Sequence, residues 1–187
     1  MLNQFQPKMN VDEFLDWVED QPGDYELIYG HVYAMSPERL RHVELKGEAY
    51  IALRAAIGTA GVPCRAFIDG AMVRIDRSMA FRPDVMVRCG KPLHGDAVEI
   101  PDPVIVVEVA SPSTSHNDGG VKFSGYFSLP SVQHYLQVDP DKRVVIHHRR
   151  DGDEIRSRIL GSGSLRLDPP GLDLAVDDLL GPPEDES

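Results

Sequence analysis

A mixed β-sheet with helices, of the α/β or α+β class, is predicted from three features of the sequence. Apolar periodicities follow the order helix, hairpin, long helix, a group of strands, helix, strands. Val104–Val107 is a continuous apolar run, as in a strand covered on both faces. The 187 residues are 42% apolar and 26% charged, the composition of an ordinary globular chain with a sizeable core.

The first element is a short amphipathic helix over 11–20, with Val11, Phe14, Leu15 and Val18 at helical spacing and Asn10 as its cap. Alternation from Tyr25 to Met35 around Gly30 predicts a hairpin with Glu26 on its first strand. Leu40, Val43, Leu45, Ala49, Ile51, Leu53 and Ile57 then mark a long helix from Pro37 to Ala60, opened by the Ser36-Pro37 pair. Extended segments are predicted over 62–68, 71–75, 82–89 and 103–110. Asn117 or Asp118 caps a helix through Lys122 to Ser128, and Pro130 ends it. Strands over 132–138, 143–148 and 154–160 complete the sheet. Residues 1–180 are expected to form a single domain, followed by an acidic tail over 181–187.

No apolar run approaches the ~18–20 residues of a membrane-spanning helix, and no signal peptide pattern opens the chain. Cys64 and Cys89, 25 residues apart, suggest neither a disulfide framework nor a zinc site, so a cytoplasmic setting is expected. The net charge of −11 resides at the two ends, and residues 36–167 carry +2. Bulk electrostatic coating of nucleic acid is therefore not indicated, although a local basic surface is possible. Gly-x-Ser-x-Gly, P-loop and dinucleotide-binding patterns are absent, which argues against serine hydrolysis and nucleotide cofactors.

Two carboxylates fall on strands that otherwise read as buried. Asp84 opens Val85-Met86-Val87, and Glu108 closes Val104–Val107. A buried carboxylate needs an arginine, backbone amides or a metal. Two of them beside a backbone carbonyl, that of Val109, give the oxygen-rich surroundings that Mg²⁺ or Mn²⁺ prefers.

Along the chain come, in order, Tyr25-Glu26-Leu27-Ile28, Met35-Ser36-Pro37 with His42, Arg82-Pro83-Asp84-Val85, Val106-Val107-Glu108-Val109-Ala110-Ser111-Pro112-Ser113-Thr114, Asp118 with Lys122, and Tyr135-Leu136-Gln137-Val138-Asp139-Pro140. In these segments and their order the chain resembles the Uma2 family of restriction-endonuclease-like proteins, a branch of the PD-(D/E)XK nuclease superfamily. The resemblance covers roughly residues 20–180. It implies a restriction-endonuclease-like fold, with a central mixed sheet flanked by helices, and a Mg²⁺-dependent or Mn²⁺-dependent endonuclease acting on DNA. Asp84 and Glu108 match the motif acids that hold the ion. Glu26 matches an early acid of the catalytic set, and His42 a residue that contacts phosphate. Where the superfamily places a lysine two residues after the motif Glu, this chain has Ala110. The resemblance transfers that role to Lys122 on the following helix.

Arg39, Arg41, Lys46 and Arg54 on or near the long helix would contact phosphates. These bases would equally serve a catalytically silent module of the same fold that binds nucleic acid or protein. A metal-free glycosidase with two carboxylates has little support from a 7% aromatic content. Cutting both strands of DNA calls for two sites, hence a homodimer.

Overall fold

Asn10 starts the first helix. Its side chain accepts the Glu13 amide while the Glu13 carboxylate accepts the Asn10 amide, and α1 (Val11–Val18) follows, burying Val11 and Phe14. The computed structural model of the chain describes residues 8–110 and 118–182. The hairpin of β1 (Tyr25–Ile28) and β2 (His31–Ala34) turns through Tyr29 and Gly30, at φ 52° and 81°, the paired positive values of a type I′ turn.

α2 (Leu40–Ala60) ends in left-handed Gly61, whose N–H returns to the Ile57 carbonyl. Its start lies at Leu40 and not at Pro37, because Arg39 stays extended and Glu38 turns inward to pair with Lys46. The buried face also differs from the expected apolar stripe. Leu45, Ala49, Ala52, Leu53 and Ala56 face the core, whereas Leu40, Val43 and Ile51 are exposed. Small alanines let the helix sit close to the sheet, so the alanine face wins over the scattered larger residues.

β3 (Cys64–Ile68), β4 (Val73–Arg74), β5 (Ala80–Phe81), β6 (Val85–Cys89) and β7 (Ile105–Val109) precede α3 (Asp118–Ser128). β8 (His134–Asp139), β9 (Val144–Asp151), β10 (Glu154–Leu160), β11 (Ser164–Leu167), β12 (Leu172–Ala175) and α4 (Val176–Leu180) complete the described chain. The central sheet has the order β10-β9-β8-β7-β6-β3 and is mixed: β7 and β8 run parallel, joined through α3, and the other pairs are antiparallel. A smaller sheet, β2-β1-β5-β4, and the β11–β12 pair adjoin it.

Leu45, Ala49 and Leu53 of α2 pack with α4 and β11–β12 on Val85, Val107 and Leu136, while Tyr126 of α3 packs with Met86, Val106 and Tyr135. Alternation along β7 sends Val107 to the first cluster and Val106 to the second, so Ile105, Val106 and Val107 are all fully buried. This is the central mixed sheet flanked by helices. β5, β11, β12 and α4 were not anticipated, being short or weakly patterned.

The expectation of unpaired cysteines is corrected. Antiparallel register sets Cys64 of β3 opposite Cys89 of β6, and the two form a disulfide. Separation along the chain conceals this, because pairing depends on register. Among the described residues no helix is long and apolar enough to cross a membrane. The Ser111–Thr114 stretch, the Asn117 cap and the tail from residue 183 onward lie outside the described residues.

His134 and His147, with 0% and 2% of their surfaces exposed, form a buried pair between β8 and β9. His134 Nε2 lies 3.0 Å from the Pro169 carbonyl, which can only accept. His134 therefore donates there and accepts at Nδ1 from His147 Nε2, at 2.9 Å, and both rings are neutral. Burial lowers their pKa values, to about 4 for His134 and about 3 for His147, where His134 and nearby arginines add to the effect. Unfolded histidines titrate near ~6.5, so the unfolded chain takes up these protons first as pH falls. The pair's contribution is complete above that pH and is lost as pH falls, down to about 4 for His134 and about 3 for His147. Urea unfolding near pH 5 should show ~2 kcal/mol less stability per histidine than near pH 7.5. A His134→Leu/His147→Leu variant should be less pH-dependent over this range, and an unchanged dependence would assign the acid limb to other groups.

Candidate active site

Glu108 lies between Val107 and Val109, both in the α2-side core, so alternation turns its side chain toward α3. There Lys122 and Tyr126, four residues apart, share one helix face. Lys122 Nζ donates to Glu108 Oε1 and Oε2 at 3.1 and 3.2 Å, and the Tyr126 hydroxyl donates to Oε1 at 2.6 Å. Lys122 also lies 2.9 Å from Glu26 Oε1, which accepts the Arg82 amide at 2.8 Å. The ammonium on α3 thus meets acids from β7 and β1. Ala110 takes no such part, its amide donating to the Val138 carbonyl.

Asp84 immediately precedes β6 and is buried. Its Oδ2 accepts the Val109 amide at 2.6 Å, so Val109, expected through its carbonyl, meets Asp84 through its N–H. Asp84 Oδ1 faces His42 Nε2 at 3.3 Å and Lys46 Nζ at 3.7 Å. Lys46 is only 3% exposed and donates to Glu38 and Asp69 at 2.7 and 2.8 Å. This corrects its reading as a phosphate contact, since it is enclosed by acids. Arg54 stacks over the Tyr50 ring, and Arg41 pairs with Asp141.

Burial, the largest cause, pushes the Glu108 carboxyl up to about 7, with Asp84 and Glu26 adding and Lys122 and Tyr126 opposing. Burial also disfavours the Lys122 ammonium, but Glu108 and Glu26 outweigh it and hold Lys122 above the usual lysine range. Both shifts follow from one ammonium serving two buried acids. His42 is raised for a related reason: burial opposes its charge, and the hydrogen bond to Asp84 with the charges of Asp84 and Glu38 prevails.

Glu26, Asp84, Glu108, Val109, Lys122, His42, Arg39 and Arg41 all line one cleft of about 760 Å³, together with Asp139, Pro140 and Lys142. Eight residues from distant parts of the sequence therefore share one concave surface. Glu38, Asp69 and Tyr126 were not assigned to the site from the sequence, and Lys46 was read only as a phosphate contact. A signal existed for two of these: Lys46 follows His42 by four positions and Tyr126 follows Lys122 by four, which places each pair on one helical side.

The family model described as "Uma2: Putative restriction endonuclease" matches residues 11–177. The chain belongs to the Uma2 family. Two relatives of this Uma2 protein occur in Synechocystis sp. PCC 6803. The uncharacterized protein slr1290 is 31% identical over 91% of this chain and 90% of its own length, and the uncharacterized protein sll1609 is 28% identical over 78% and 82%. A crystal structure titled as "a putative nuclease belonging to DUF820" from Anabaena variabilis ATCC 29413 has the same fold, with a TM-score of 0.72, 18% identity, and coverage of 92% of this chain and 97% of that one.

The approach of α3 that delivers Lys122 depends on Gly125 of the Uma2 chain. A Cβ there would lie 2.5 Å from Phe81 Cε2. Gly125→Ala should destabilise the protein by ~1–3 kcal/mol in chemical unfolding, overriding the ~1 kcal/mol that alanine gains within a helix. A stabilised variant would show that α3 is not held so closely.

Proposed function

We propose that the protein is a divalent-metal-dependent endonuclease hydrolysing DNA phosphodiester bonds, acting as a homodimer with one cleft for each strand. The observation that carries this reading is the meeting of Lys122 with Glu108 and Glu26, beside Asp84, in an open cleft. Family membership supports the nuclease class, and the name of the Anabaena neighbour agrees with it.

The donor set fits a hard divalent ion. Glu26, Asp84 and Glu108 are oxygen ligands with one close ammonium, Lys122, and Glu108 is raised to about 7 by burial together with the neighbouring acids. Asp84 and Glu108, with the Val109 carbonyl, would hold Mg²⁺ or Mn²⁺, which when bound supplies positive charge to a phosphate and acidifies a water. The remaining roles belong to the chain itself. Lys122 keeps its proton against burial and presents positive charge where a phosphate becomes more negative. Glu26 anchors that ammonium from β1. Arg39 and Arg41 line the cleft where a nucleic acid backbone would run, and His42 adds a donor beside Asp84.

Two variants test the reading. Asp84→Asn should weaken Mn²⁺ binding at least ~10-fold in calorimetric titration and abolish cleavage of plasmid DNA. Lys122→Met should also abolish cleavage, and it strands two buried carboxylates, at a cost of ~3–5 kcal/mol without metal. Mn²⁺ should consequently raise the melting temperature of Lys122→Met more than that of the parent. Parental cleavage by Lys122→Met would remove Lys122 from the chemistry. A parent that binds Mn²⁺ and cuts no DNA would favour a silent binding module.

A further inference from the structure

The geometry points to a second cation position, held by Glu38, His42 and Asp84, that selects Mn²⁺ over Mg²⁺. It deepens the endonuclease reading and shares only Asp84 with the ion site proposed there. One ligand atom from each of the three side chains lies within 4.8 Å of the others. His42 Nε2 is 3.3 Å from Asp84 Oδ1 and 3.8 Å from Glu38 Oε1. Ligands ~2.1 Å from one ion lie ~3 Å apart when adjacent and ~4.2 Å apart when opposite, so these separations suit a common ion with small adjustments.

The state of Asp84 is an independent reason. Its side chain is 6% exposed, and Oδ2 is well satisfied by the Val109 amide at 2.6 Å, yet the shortest described contact of Oδ1 is the 3.3 Å approach to His42. Its two cationic or imidazole neighbours, His42 Nε2 at 3.3 Å and Lys46 Nζ at 3.7 Å, both stand at long range, so this buried oxygen keeps capacity for a closer partner. Lys46 Nζ donates to Glu38 and Asp69 at 2.7 and 2.8 Å and lies 3.7 Å from Asp84 Oδ1, so it holds the Glu38 carboxylate beside Asp84.

Charge balance points the same way. Glu26, Glu38, Asp69, Asp84 and Glu108 meet the ammonium groups of Lys46 and Lys122, with the Arg82 guanidinium beside Asp69. The acids outnumber these cations, and added divalent charge makes the centre more receptive to a phosphodiester. The His42 imidazole sets the selectivity, because Mg²⁺ keeps to oxygen ligands whereas Mn²⁺ also accepts nitrogen.

The test is titration of the full-length protein with Mn²⁺ or Mg²⁺ by calorimetry, with bound Mn²⁺ counted by electron paramagnetic resonance. The parent should bind two equivalents of Mn²⁺ and one of Mg²⁺. His42→Leu should bind one equivalent of Mn²⁺, the lost one weakened by at least ~10-fold, and should keep its Mg²⁺. Glu108→Gln should lose the Mg²⁺ equivalent and keep one Mn²⁺. A parent that binds a single Mn²⁺, retained in His42→Leu and lost in Glu108→Gln, overturns the second site and leaves the endonuclease reading intact. A single Mn²⁺ lost in His42→Leu and retained in Glu108→Gln supports this site while removing the ion from Glu108. If circular dichroism shows that His42→Leu does not fold, Glu38→Gln, whose side chain is 28% exposed, takes its place with the same expected loss.

Discussion

Five carboxylates, those of Glu26, Glu38, Asp69, Asp84 and Glu108, meet the two buried ammonium groups of Lys46 and Lys122 at one end of the central sheet, with Arg82 also beside Asp69, and the surrounding structure is built to tolerate that excess of acid. For Glu26, Asp84 and Glu108, which lie inside, burial costs free energy that backbone and hydroxyl donors partly offset. The Val109 amide serves Asp84, the Arg82 amide serves Glu26 and the Tyr126 hydroxyl serves Glu108. What they leave unbalanced appears in the raised Glu108 carboxyl.

The topology explains why this happens at that end. β7 is paired antiparallel with β6 and parallel with β8. The parallel partner requires a crossover, which α3 supplies from above one face, so the chain leaves the sheet at the C-terminal end of β7 and opens a crevice there. β6 begins beside that point, bringing Asp84 within reach of Val109, while β1 brings Glu26 from the smaller sheet. α2 and α3 lie on opposite faces, and each contributes one buried lysine from a position four residues from another polar group of the site.

The same network ties function to stability. Lys122 joins α3 to β7 and β1, and Lys46 joins α2 to the segments holding Glu38 and Asp69. Removing Lys122 would strand Glu26 and Glu108 between packed layers, whereas the Glu38 and Asp69 partners of Lys46 keep access to solvent. Cations held by these acids would therefore relieve strain already present in the free protein, a coupling of ligand binding to stability.

Much of the layout was legible in the sequence because it is encoded locally. The Asn10 cap, the Tyr29-Gly30 turn, the apolar run of β7 and the helix carrying Lys122 each follow from neighbouring residues. Asp84 and Glu108 stood out because acids interrupt buried strands, and their order with Glu26 and Lys122 carried the family resemblance. Tertiary structure decided the rest. Only strand register could set Cys64 against Cys89, and only packing could choose the alanine face of α2 over Leu40, Val43 and Ile51. Whether Lys46 meets solvent or Glu38 and Asp69, and whether Tyr126 reaches Glu108, depends on how α2 and α3 dock on the two faces of the sheet. Local sequence determines which groups are charged and which elements carry them, but partners arrive from segments many residues away, and their encounter exists only once the layers have packed.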